Sequence, residues 1–113
     1  MSSCVFCGIV SGQVPSDQVA TTEHSVAFRD LGPVAPSHVL VIPRRHIENA
    51  AALRPEDRDA LADIFLLARQ VAEAEGLEGG YRLVFNVGDD AGNTVPHLHL
   101  HVIGGRKLSW PPG

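Results

Sequence analysis

The chain has 113 residues, 44% hydrophobic and 19% charged, the balance of an ordinary globular protein with room for one domain over residues 1–113 and no second core. No repeat, low-complexity tract or run of like charge argues for disorder. A net charge of -4 supplies no basic footprint for nucleic acid, since Arg44 and Arg45 alone make no patch, so any nucleotide it binds should be small.

The N-terminal stretch MSSCVFCGIVSG lacks the basic start and apolar h-region of a secretory signal, and no apolar run approaches the roughly 18 residues needed to cross a bilayer. The expectation is a cytoplasmic protein with no membrane partner. Cys4 and Cys7 then lie in a reducing compartment, which argues against a structural disulfide. Cys-x-x-Cys reads instead as half of a zinc site or as a redox pair, and the βαβ context of a thioredoxin-like motif is missing. Residues 5–11 are expected to form a short helix that stops at Gly12. QVATT (18–22) and SVAFRD (25–30) read as hairpin strands turning at Glu23 and His24, with His24 exposed. GPVAPSH, with two prolines and a glycine, must be loop, and HVLVIP (38–43) is β-branched and apolar enough for a buried strand.

A long helix is expected from about Pro55 to Glu75. Pro55 suits the first turn, Glu56 and Asp57 complement the positive end of the helix dipole, and Gly76 permits a left-handed stop. Leu61, Ile64, Phe65, Ala68, Val71 and Ala72 recur at helical spacing, which makes one apolar stripe for the core. YRLVFNV (81–87) and HLHLHVI (97–103) are the last expected strands, separated by GDDAGNT, a loop of turn-forming residues. The connections are too short for parallel crossovers, so the class is α+β with a mostly antiparallel sheet.

Three of the six histidines stand at alternate positions, His97, His99 and His101. On a strand they share one face while Leu98, Leu100 and Val102 pack on the other. Same-face neighbours are roughly 6.6–6.8 Å apart, so the outer two lie about 13 Å from each other and a tri-histidine metal centre would strain the strand. Imidazole is a poor sheet filler, and a row of imidazoles titrating near neutral pH can supply a nucleophile and hydrogen-bond donors to a phosphate. The pattern points to phosphoryl chemistry.

HLHLHVI matches the His-φ-His-φ-His-φ-φ signature of the histidine triad (HIT) nucleotide-binding proteins, and FRDLGPVAPSHVLVIPRRHI, FNVGDDAGNTVPHLHLHVIGGR and the terminal WPPG extend the similarity over nearly the whole chain. GGR and WPPG resemble the Hint branch of nucleoside phosphoramidate hydrolases, in its bacterial zinc-containing form. The resemblance implies a HIT fold of about five antiparallel strands with one long and one short helix, paired in a homodimer whose sheets join into one. It implies hydrolysis of purine nucleoside 5′-monophosphoramidates of the AMP or GMP type, with no metal needed for the chemistry. His99 matches the nucleophile that attacks the α-phosphorus, His101 the histidine that bonds the phosphate oxygens, and His97 and His38 supporting positions. Asp30 matches the carboxylate on the ribose hydroxyls; Asn86, Asn93 and Thr94 match polar contacts around the phosphate and leaving group. Phe6, Ile9, Phe28 and Leu31 match an apolar base pocket, though each also reads as core. Trp110, near the chain end, matches a tail that reaches the partner subunit's active site. A structural zinc is implied on Cys4, Cys7, His46 and His97, pinning the N-terminal helix to the sheet.

Pro96 and Asn93 depart from the family's commoner aromatic residue and glutamine, close to where the leaving group would lie. Dinucleoside polyphosphate hydrolysis, nucleotide binding with incidental turnover, and metal-dependent catalysis through His-x-His are the rival readings.

Overall fold

The computed structural model describes residues 4–113, with α1 (Val5–Ser11), β1 (Gln18–Thr21), β2 (Ser25–Arg29), β3 (Ser37–Pro43), α2 (Arg58–Ala74), β4 (Tyr81–Val84) and β5 (Leu100–Gly104). The strands form one antiparallel sheet in the order β1-β2-β3-β5-β4. This is the expected α+β class. The short helix ends where expected, at Gly12, whose φ of 83° is open to a residue without a Cβ.

Side-chain alternation divides the sheet into two faces. Val39, Val41, Leu100 and Val102 point to α2, where Ile64, Leu67, Ala68, Val71 and Ala72 close the larger core. Leu40 and Ile42 point the other way, onto Phe6, Ile9, Val26 and Phe28 beneath α1. All seven residues of β3 are buried because helices cover both of its faces and strands flank both of its edges. The α2 stripe differs from the expectation at Phe65, which is exposed and stacks edge-on against Phe85 at 5.9 Å.

Three boundaries moved by three residues each and the others by one at most. The long helix opens with a 3₁₀ turn over Pro55–Asp57, held by the Arg54 N–H donating to the buried Asp57 carboxylate, which Arg45 also meets. The last strand begins at Leu100 rather than His97. Before that point the Leu98 N–H donates to the Ile47 carbonyl at 2.6 Å, and Pro96 has no N–H to offer a ladder. β4 pairs with β5 only as far as Val84 opposite His101, and Phe85 to Val87 leave the sheet; the Asn86 amide donates to the Ala91 carbonyl at 2.8 Å.

Candidate active site

His99 and His101 lie on the α1 side of the sheet, with Leu98, Leu100 and Val102 in the opposite core, so the division of faces follows the alternation even though only His101 is inside the strand proper. Their rings are 5.0 Å apart at the centroids. His38, at the start of β3, is the diagonal neighbour of His101 across the β3–β5 ladder, and the two rings meet at 5.1 Å. His99 and His38 are buried, and His101 is partly exposed.

The hydrogen bonds determine which nitrogen of each ring carries the proton. The Val34 N–H donates to His38 Nδ1 at 3.2 Å, so that nitrogen holds a lone pair and the proton sits on Nε2. His38 Nε2–H then donates to His101 Nδ1 at 2.8 Å, with the Asp30 carboxylate 3.6 Å away on the same nitrogen. His101 Nδ1 is thereby an acceptor, and its Nε2–H is left to donate outward. His99 Nδ1–H donates to the His97 carbonyl at 2.8 Å, which leaves a lone pair on His99 Nε2. One ring presents a lone pair and its neighbour presents a donor.

Burial keeps His38 and His101 neutral. His101 is pushed down to about 4, by burial first and then by the neighbouring His99 and His38, with Asp30 opposing. Burial also lowers His38, against the pull of Asp30.

His97 leaves the row. It is wholly buried and turns its Nδ1 toward a different group, 3.4 Å from Cys4 Sγ, 3.5 Å from Cys7 Sγ and 3.2 Å from His46 Nδ1, while Cys7 Sγ lies 3.3 Å from His46 Nδ1. Its Nε2–H donates to the Pro43 carbonyl at 3.0 Å. A tetrahedron with metal–nitrogen bonds of about 2.0–2.1 Å and metal–sulfur bonds of about 2.3 Å has edges of roughly 3.3–3.8 Å, close to those observed. Cys4, Cys7, His46 and His97 therefore form a group fitted to hold a metal ion. Asp30, His38 and His101 also cluster, but their atoms are engaged in the hydrogen-bond relay.

The remaining expected residues divide. Asp30 and Leu31 share a loop beside His38; the Asp30 carboxylate accepts the Gly32 N–H at 2.7 Å, and the Leu31 side chain is fully exposed. Phe6, Ile9 and Phe28 are buried in the smaller core, where Phe6 stands edge-on to both His97 and His99. Asn93 is half-buried with its Oδ1 unpartnered, Thr94 is exposed, and Trp110 is 81% exposed on the tail. His24 is exposed, as expected. Sequence reading passed over the carbonyls of Pro43 and His97 and the N–H of Val34, because backbone groups carry no residue-type signal. An open groove of about 670 Å³ lies elsewhere, between Gly76 and Leu108, with no imidazole in its walls.

Within this antiparallel α+β domain, His38 and His99 are each fixed by a backbone hydrogen bond and His101 by the ring of His38. The HIT domain model matches residues 11–108. An uncharacterized HIT-like protein of Synechococcus elongatus is 43% identical over 96% of both chains. The crystal structure of a HIT family hydrolase from Legionella pneumophila superposes with a TM-score of 0.95 at 46% identity, over 98% of this chain and all of that one. A histidine triad nucleotide-binding protein of Candida albicans gives a TM-score of 0.83 at 30% identity, over 96% of this chain and 83% of that one. The chain belongs to the HIT domain family.

Proposed function

We propose that this protein is a Hint-like hydrolase of purine nucleoside 5′-monophosphoramidates, acting through a nucleotidyl-histidine. The observation that carries the reading is the pairing of a lone pair on His99 Nε2 with a donor on His101 Nε2, each set by hydrogen bonds within the chain. Related proteins that are hydrolases or nucleotide-binding proteins support the class, and GGR and WPPG support the branch.

His99 Nε2 attacks the α-phosphorus; the bond from phosphorus to the amine breaks as the bond to imidazole forms, and water then cleaves the nucleotidyl-imidazole. The His97 carbonyl holds Nδ1–H throughout and stabilises positive charge on the ring. His101 Nε2–H donates to a phosphate oxygen as charge grows there. Asp30, with two acceptor oxygens, suits the ribose diol, and Leu31 beside it suits one face of the base. Asn93, with a buried amide oxygen that no group of the chain satisfies, faces the phosphate or leaving group together with Asn86 and Thr94.

Cys4, Cys7, His46 and His97 would hold a zinc ion that stabilises the fold and takes no part in the reaction. Two thiols so arranged suit a reducing, cytoplasmic setting. The partner is a second copy of the chain: β4 is a sheet edge, and Tyr81 and Leu83 on it, with Phe65 and Leu66 of α2, leave apolar side chains exposed. Trp110 then lies toward the neighbouring subunit.

Release of nucleoside monophosphate from adenosine and guanosine 5′-phosphoramidates, comparing wild type with folded His99→Ala, tests the reading. The variant should lose at least about a thousandfold in kcat/KM. Equal, negligible turnover by both proteins with retained nucleotide binding would make this a binding module instead.

A further inference from the structure

The GGR segment at the end of β5 has a role that its position in the sequence does not suggest. Gly105 has a φ of 94°, and a Cβ there would meet Pro36 Cβ at 3.0 Å and the Ser37 backbone nitrogen at 3.4 Å. Only glycine lets the chain pass this close to the loop between β2 and β3. The approach delivers Arg106 onto that loop. Its Nη2 and Nε donate to the Val34 carbonyl at 2.9 and 3.3 Å, and its Nη1 donates to the Lys107 carbonyl at 2.9 Å. No carboxylate is bonded to the guanidinium among the described residues, so its hydrogen bonds all go to backbone carbonyls.

Val34 is also the residue whose N–H sets the tautomer of His38. We infer that Arg106 is a positioning residue for the His38–His101 pair: by clamping the Val34 carbonyl it holds the Val34 N–H on His38 Nδ1, and so keeps the proton of His101 on Nε2, facing the phosphate. The rest of the loop does not hold Val34, although the Asp30 carboxylate, 3.6 Å from His38 Nε2, also favours a proton on that nitrogen. Its other hydrogen bonds, Asp30 N–H to the His38 carbonyl and Gly32 N–H to the Asp30 carboxylate, close the first part of the loop and leave Val34 unheld. Once Val34 withdraws, His38 can carry its proton on Nδ1 and accept at Nε2. His101 must then donate from Nδ1, and its Nε2 presents a lone pair to an anionic oxygen. The relay inverts without any ring leaving its place.

The kinetic half of this inference rests on the phosphoramidate reading; the tautomer half does not. The test is the protonation pattern of the ring nitrogens in full-length protein labelled with ¹⁵N at histidine, read by long-range proton–nitrogen correlation, for wild type, Arg106→Met, Arg106→Gln and Arg106→Lys. In wild type both His38 and His101 should carry the proton on Nε2. In Arg106→Met a population with Nδ1–H should appear at both rings, and kcat should fall about tenfold with KM changed less than about threefold. Arg106→Lys, which retains one donor, should lie between. The guanidinium is solvent-exposed, so these variants should fold, and Arg106→Gln carries the same expectation as Arg106→Met should the latter fail to. A folded Met or Gln variant with both rings unchanged overturns the inference, as does a rise in KM alone, which would make Arg106 a fastener of the nucleoside loop and nothing more. A wild type that hydrolyses no phosphoramidate would sink the proposed function while the ring spectra still decide the role of Arg106.

Discussion

At the scale of single residues, the histidines differ by what their second nitrogen touches. His99 rests on the His97 carbonyl, His101 on His38, and His97 on Pro43, so three residues of one type do three different things. The neutrality of His101 and His38 has a consequence for stability. His101 is pushed down to about 4 and His38 is also lowered, chiefly by burial, whereas an unfolded histidine titrates at about 6.5. Between about 6.5 and about 4 the unfolded chain therefore binds protons that the folded chain refuses, and stability falls as pH is lowered through that window. Melting curves across it should show a shallower fall in Tm for His101→Asn than for wild type; parallel curves would contradict the burial argument. The triad itself was legible from spacing, because alternation on a strand is a property of the backbone alone. The parting of His97 toward the cysteines came from the family resemblance and not from spacing, because it depends on what lies across the sheet at Pro43 and Ile47.

At the scale of elements, α1 is short and its hold on the sheet comes from both packing and chemistry. Phe6 and Ile9 fill the smaller core, and Cys4 and Cys7 meet His46 and His97, which come from the far ends of two loops. Cys4→Ser combined with Cys7→Ser should abolish bound zinc by elemental analysis and lower Tm, since metal bound only by the folded chain adds its binding free energy to stability. Retention of stoichiometric metal by that variant would refute the site. In α2 the core contact is ordinary packing, and Ile64→Ala should cost about 2–5 kcal/mol in denaturant unfolding because it opens a void among Leu67, Ala68 and the sheet. The element order and most boundaries were readable from capping and turn residues: Gly12 and Gly76 both take positive φ after their helices. The early end of β4 was not readable, since a strand continues only while a neighbour accepts its hydrogen bonds.

At the scale of the whole molecule, the two edges of the sheet differ in what they expose. The β1 edge carries polar residues at Gln18 and Thr21, whereas β4 exposes Tyr81 and Leu83, and α2 exposes Phe65 and Leu66. Leu83→Glu with Leu66→Glu should convert a dimer to a monomer in sedimentation, and a wild type that sediments as a monomer at micromolar concentration would remove the homodimer from the proposal. Composition, cysteine spacing and hydrophobic periodicity by themselves determined the α+β class, the five strands, the two helices and the row of histidines, because each is a local regularity imposed by backbone geometry. Only the tertiary structure decided which imidazole nitrogen carries a proton and that Arg106 reaches the loop before β3. Those outcomes depend on backbone groups distant in the chain, and the type of an amino acid says nothing about where its carbonyl will point.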